Sequence, residues 1–104
     1  MVIVETKTFS RQVVTLLTDD DYRGLQERLV EHPEAGSMIK GTDGIRKLRW
    51  TAEGKGRSGG VRAIYYWAVD KDRILLLFMY PKSEKDDLSS EEREVLQRIV
   101  EHEP

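Results

Sequence analysis

Residues 74–80 read ILLLFMY, an apolar run without a single charge. A strand of that composition has no polar face to turn towards water, so it reads as a central strand buried on both faces. Asp70-Lys71-Asp72-Arg73 precedes it as a tight turn, and residues 61–69 precede the turn as a second strand. Two strands joined so briefly form an antiparallel hairpin. Alternation along 61–69 puts Val61, Ala63, Tyr65, Trp67 and Val69 on one face, with Arg62, Ile64, Tyr66 and Ala68 on the other. Residues 45–51 alternate in the same way, with Lys47 and Arg49 opposite Leu48 and Trp50.

Between these strands lies a glycine-rich basic loop, GKGRSGG, which carries Lys55 and Arg57. Flexible backbone with dense positive charge, held between two strands, suits a polyanion such as a nucleic-acid backbone. The same residues also suit a solvated hairpin whose glycines serve turn geometry alone. Net charge is −2, which opposes a generic nucleic-acid binder, yet residues 40–62 hold seven basic side chains against two acidic ones. A basic patch on an acidic body acts at close range and steers weakly at long range.

The remaining segments read as follows. Val2–Glu5 is a β-branched first strand. Residues 9–17 place Phe9, Val13, Val14, Leu16 and Leu17 at helical spacing, with Thr8 or Ser10 near the start. Thr18-Asp19-Asp20-Asp21 caps a second helix, whose Tyr22, Leu25 and Leu29 share one face and which Pro33 stops. Pro81 ends the apolar strand, and Ser89-Ser90-Glu91-Glu92 is a capping-box pattern opening a last helix through Leu96 and Val100. The expected fold is α+β in the order β-α-α-β-β-β-α: one domain spanning 1–104, a small, mostly antiparallel four-stranded sheet, two helices on one face and a mobile terminal helix.

Several chemistries are excluded. There is no cysteine, so neither disulfides nor thiolate metal sites are available. No His/Asp/Glu cluster suggests a metal, and Asp86-Asp87 reads more simply as a helix lead-in. GKGRSGG lacks the spacing of a phosphate-binding Walker loop. His32 and His102 stand outside the basic stretch and read as surface residues. No apolar run approaches the roughly 20 residues of a membrane span, and a cytoplasmic location is expected.

With GTDGIRKLRW, GKGRSGG, VRAIYYW and LLFMYPKSEKDDLSSEE in this order, the chain resembles the RelE/HigB toxin superfamily, and within it the HigB-like branch of ribosome-dependent messenger-RNA endonucleases. The resemblance covers nearly the whole chain. It implies a RelE/ParE-like fold, entry into the ribosomal A site of the 70S ribosome and cleavage of the message there. It also implies a HigA-like helix-turn-helix antitoxin, with operator DNA bound only through the toxin–antitoxin complex. By position in the motifs, it assigns cleavage to Lys47, Arg49, Arg62 and Lys82, with Lys55 and Arg57 in the loop.

The chemistry of such a cut needs a base for the ribose 2′-hydroxyl, cationic stabilisation of the transition state and an acid for the leaving oxygen. No cofactor or metal is expected. A lysine among arginines has its charged form disfavoured and can act as a base, which points to Lys47 or Lys82, narrowly Lys47. Arg62, with Arg49, suits the phosphate because guanidinium forks match its oxygens. Arg46, Lys55, Arg57 and Glu84 are expected to bind RNA or ribosome, while Tyr80 and Glu84 are candidates for proton transfer or base stacking. Two other readings share the fold: a ParE-like poison of DNA gyrase that is no nuclease, and a decayed toxin that only binds its antitoxin and regulates the operon.

Overall fold

The computed structural model describes residues 1–51, 60–85 and 87–102. Lys55 and Arg57, both expected at the site, fall outside the described residues. Within them the order is β1 (Val2–Glu5), α1 (Lys7–Leu16), α2 (Asp19–Glu31), β2 (Ser37–Met38), β3 (Ile45–Trp50), β4 (Val61–Ala68), β5 (Arg73–Pro81) and α3 (Ser90–Glu101). The sheet runs β1-β5-β4-β3-β2, with β1 parallel to β5 and every other pair antiparallel. The fold class is therefore the expected α+β, with five strands where four were expected. The added strand, β2, is only two residues long and carries no alternating pattern to betray it.

Helices cover both faces of the sheet. Phe9 and Val13 of α1 and Leu25 and Leu29 of α2 pack with Leu48, Val61, Ala63, Tyr65, Ile74, Leu76 and Met79. On the opposite face, Leu88 and Leu96 pack with Ile45, Ile64, Leu75, Leu77 and Tyr80. The terminal helix, expected to be mobile, is thus seated on the sheet. Its start is fixed by a capping box: the Ser89 hydroxyl accepts the Glu92 amide at 3.1 Å, and the Glu92 carboxylate accepts the Ser89 amide at 2.9 Å.

The start of α1 differs from expectation for a physical reason. Thr6, rather than Thr8 or Ser10, is its cap, because Thr6 serves two partners at once. Its hydroxyl oxygen accepts the Phe9 amide at 3.0 Å and donates to the Leu77 carbonyl at 2.8 Å. The register of β1 on β5 ends at Glu5 opposite Leu76. Beyond that point the outer edge of β5 would have no strand beside it, and α1 takes over. Gln12 accepts the Met79 amide at 2.8 Å, so these edge groups are met by side chains.

The hairpin of β4 and β5 carries an irregularity. Ile64 faces Phe78 but Tyr65 faces Leu76, which leaves Leu77 as an extra residue in β5. Such a bulge sends two consecutive residues to one face. Leu77 and Phe78 both lie on the α3 side, Met79 on the α1/α2 side and Tyr80 again on the α3 side.

Tyr65 fastens the loop after α2. Its hydroxyl accepts the Gly36 amide at 2.8 Å and donates to the Pro33 carbonyl at 2.7 Å. A Cβ on Gly36 would stand 2.8 Å from the Tyr65 ring, so glycine is required at that approach. Tyr65→Phe strands the buried Gly36 amide and the part-buried Pro33 carbonyl. It should lower unfolding free energy by about 1–3 kcal/mol in urea titrations, with a parallel fall in Tm of about 4–8 °C per kcal/mol.

Candidate functional site

Pairing across the sheet builds the site in rows. Arg49 of β3 lies opposite Arg62 of β4, and Arg62 lies opposite Tyr80 of β5. One row along, Lys47 lies opposite Ile64, and Ile64 opposite Phe78. The period-two side-chain alternation puts Lys47, Arg49, Arg62 and Tyr80 on the same face. This is the face α3 covers, and its apolar cluster takes in Ile45, Ile64, Leu75, Leu77 and Tyr80. The Arg49–Arg62 row adjoins that cluster through Tyr80.

Burial grades the row. Arg62 is 3% exposed and Tyr80 2% exposed, whereas Arg49 is exposed. Arg62 Nη1 approaches the Val61 carbonyl at 3.4 Å. Lys85 stands 5.2 Å from the centroids of both the Phe78 and Tyr80 rings, which are themselves 5.9 Å apart. A cation over two aromatic faces is attracted by the rings. Lys85 also pairs with Glu92. Burial would push the Glu92 carboxyl up, but Lys85 and the Ser89 amide outweigh it and hold Glu92 below its ordinary range.

Lys47 Nζ donates to Asp87 Oδ1 at 2.6 Å. Asp87 sits on the segment leading into α3, and its carboxyl is held down first by the Lys47 bond and charge, then by Arg93 and Arg49. Lys47, Arg49, Asp87 and Arg93, with Ser37 and Lys40, line an open cleft of ≈ 690 Å³ between the β2–β3 edge and α3. Four cations against one carboxylate make this cleft suited to an anion with several charges.

The expected site residues divide. Lys47, Arg49, Arg62 and Tyr80 come together on one face. Lys82 is exposed in the turn after β5, and its amide donates to the Gly60 carbonyl at 3.0 Å, one step beyond the Arg62–Tyr80 row. Glu84 is exposed in the same turn, where its amide donates to the Pro81 carbonyl. Arg46 is not brought to the cluster. It alternates to the α1/α2 side and clamps the loop after α2, donating to the Glu34 carbonyl at 3.1 Å and the Gly36 carbonyl at 2.8 Å. Asp87, Arg93 and Lys85 reach the site without having been singled out. The only sequence signal for Asp87 is an acid set just before a helix cap, and its lysine lies forty residues away.

A family model described as the RelE toxin of the RelE/RelB toxin-antitoxin system matches residues 1–103. Among solved structures, a mutant of the E. coli toxin RelE in the free state aligns over 98% of this chain and 97% of its own, with TM-score 0.61 and 17% identity. The E. coli RelBE toxin-antitoxin complex contains a chain that aligns over 77% of this one and 94% of its own, with TM-score 0.56 and 16% identity. At these identities the two structures establish a shared fold.

The Lys47–Asp87 pair has a defined pH signature. The folded-state carboxyl of Asp87 titrates below the ordinary 3.8. Its contribution to stability is therefore complete above the ordinary aspartate range and is lost as pH falls through the folded value. In a carbon-detected NMR titration, Lys47→Met should move the Asp87 midpoint upward, towards the ordinary value.

Proposed function

The chain belongs to the RelE toxin family, and from that premise we propose that it is a ribosome-dependent messenger-RNA endonuclease of the HigB-like kind. The observation that carries this reading is the set of cations Lys47 and Arg49 of β3 and Arg93 of α3, which line a cleft wide enough for a nucleotide, with Arg62 of β4 opposite Arg49.

In the proposed reaction a lysine that has given up its own proton takes the proton from the ribose 2′-hydroxyl: Lys47 once it has left Asp87, or Lys82 while Lys47 stays an ammonium on the phosphate. The 2′-oxygen attacks the adjacent phosphorus, the bond to the 5′-oxygen breaks, and that oxygen leaves with a proton from an acid. The products are a 2′,3′-cyclic phosphate and a 5′-hydroxyl end. Arg49 and Arg62 match the charge that develops on the non-bridging oxygens. Arg49 lines the cleft and meets the phosphate directly, while Arg62, buried opposite it, adds its charge from within the sheet. Tyr80 packs beside Arg62 and supports its position. No step uses a metal or cofactor.

The partners follow from the same reading. The E. coli RelBE structure is a complex of toxin and antitoxin, and an antitoxin of helix-turn-helix type is proposed here from the sequence resemblance. Lys82, Glu84, Lys55 and Arg57 are assigned to RNA or ribosome contact, and the protein to the cytoplasm. No described helix is long and apolar enough to cross a membrane.

The test is expression in bacteria with primer extension on a reporter message, translated or held untranslated. The wild-type chain should cut only the translated message. Lys47→Ala should lower the cleavage rate by about 10²–10⁴-fold, while antitoxin affinity changes by less than about tenfold. Growth arrest with intact messages would replace this reading with a gyrase-directed poison.

A further inference from the structure

The cleft already holds an anion of its own. Asp87 Oδ1 lies 2.6 Å from Lys47 Nζ, in a cleft that Arg49 and Arg93 also line. A carboxylate and a phosphodiester each carry one negative charge, and both accept hydrogen bonds from ammonium and guanidinium groups in similar geometry. The Asp87 side chain is 75% exposed, whereas that of Lys47 is 21% exposed. An exposed ion pair is weak and easily exchanged for a better one. Asp87 stands two residues before the Ser89 cap.

We propose that Asp87 is an intramolecular stand-in for an RNA backbone phosphate: in the free protein it fills an anion subsite formed by Lys47, Arg49 and Arg93, and a bound phosphodiester displaces it. The proposal rests on the reading of this cleft as the RNA site and adds Arg93 to it. It also gives Asp87 two roles. The carboxylate keeps Lys47 stretched across the cleft instead of free in solvent. It also imposes a threshold, because a ligand that brings one weak contact does not repay the lost ion pair, whereas one seated by several contacts does.

The test measures binding of a 2′-O-methyl tetranucleotide, which lacks the attacking hydroxyl, to the full chain by calorimetry. The Asp87 carboxyl carbon is followed by NMR in the same titration. Asp87→Asn should tighten binding by about fivefold or more, and Arg93→Gln should weaken it by a similar factor. Glu91→Gln removes the same charge from the first turn of α3 but lines a groove away from the cleft, and should change affinity by less than about twofold. In the wild-type chain, saturating tetranucleotide should shift the Asp87 carboxyl resonance to that of an aspartate without its lysine, the position seen in Lys47→Met.

Equal gains from Asp87→Asn and Glu91→Gln would reduce the effect to net charge and overturn the proposal, as would an Asp87 resonance unmoved at saturation. All these variants change exposed or half-buried side chains, so unchanged thermal unfolding serves as the folding control. Intact reporter messages together with the Asp87→Asn gain would remove the nuclease and keep the anion subsite. Message cleavage without that gain would remove the subsite and keep the nuclease.

Discussion

One extra residue in β5 decides what this sheet can present. Because side chains alternate with a strict period of two, a strand continued without Leu77 as a bulge would turn Tyr80 towards α1 and α2 and Met79 towards α3. With the bulge, Tyr80 shares a face and a register with Arg62, and Met79 drops into the core with Phe9 and Val13. The site row therefore depends on a packing irregularity, and α1 supports the strand where it occurs. The Thr6 hydroxyl meets the Leu77 carbonyl, and the Gln12 amide oxygen meets the Met79 amide. The N-terminal helix thus helps to set the face that Tyr80 takes, while Lys47, Arg49 and Arg62 take theirs from the regular pairing of β3 and β4.

The second constraint is where the cover stops. α3 seals the apolar end of the opposite face through Leu96 and Leu88, and its capping box fixes the first helical turn. Asp87, two residues before the Ser89 cap, lines the cleft. Near this cleft exposed Arg49 lies directly across from Arg62, which is buried in the sheet.

Much of this was readable in advance. The faces of β3 and β4, the buried run of β5, the Thr18 cap and the Ser89–Glu92 box all follow from nearest-neighbour patterns, and the structure has them where the pattern put them. What escaped depends on contacts distant in sequence. Arg46 looked like one more cation of the basic stretch, but a strand residue next to Lys47 must face the other way, and there it meets the carbonyls of residues 34 and 36. The bulge leaves no mark in ILLLFMY, since every residue of that run is apolar on either face. Asp87 looked like a helix lead-in because its lysine is on another element. Family resemblance supplied the cluster of Lys47, Arg49 and Arg62; only the geometry supplies the anion that sits among them.

The charge distribution bears on how a substrate reaches the cleft. The whole chain carries a net charge of −2, so beyond a screening length of about 8 Å at physiological salt its field offers RNA no attraction. Within the cleft the balance reverses, with Lys40, Lys47, Arg49 and Arg93 against Asp87. A protein built this way gains little from colliding with free RNA, because encounter is not steered and the nearest cation is already paired. It gains much when RNA is held beside the cleft by something else, since presentation at high effective concentration replaces the missing long-range attraction. On the proposed function that something is the ribosome, and an acidic body, a local cationic cleft and a carboxylate in that cleft are consistent with a message that must be presented before it is cut.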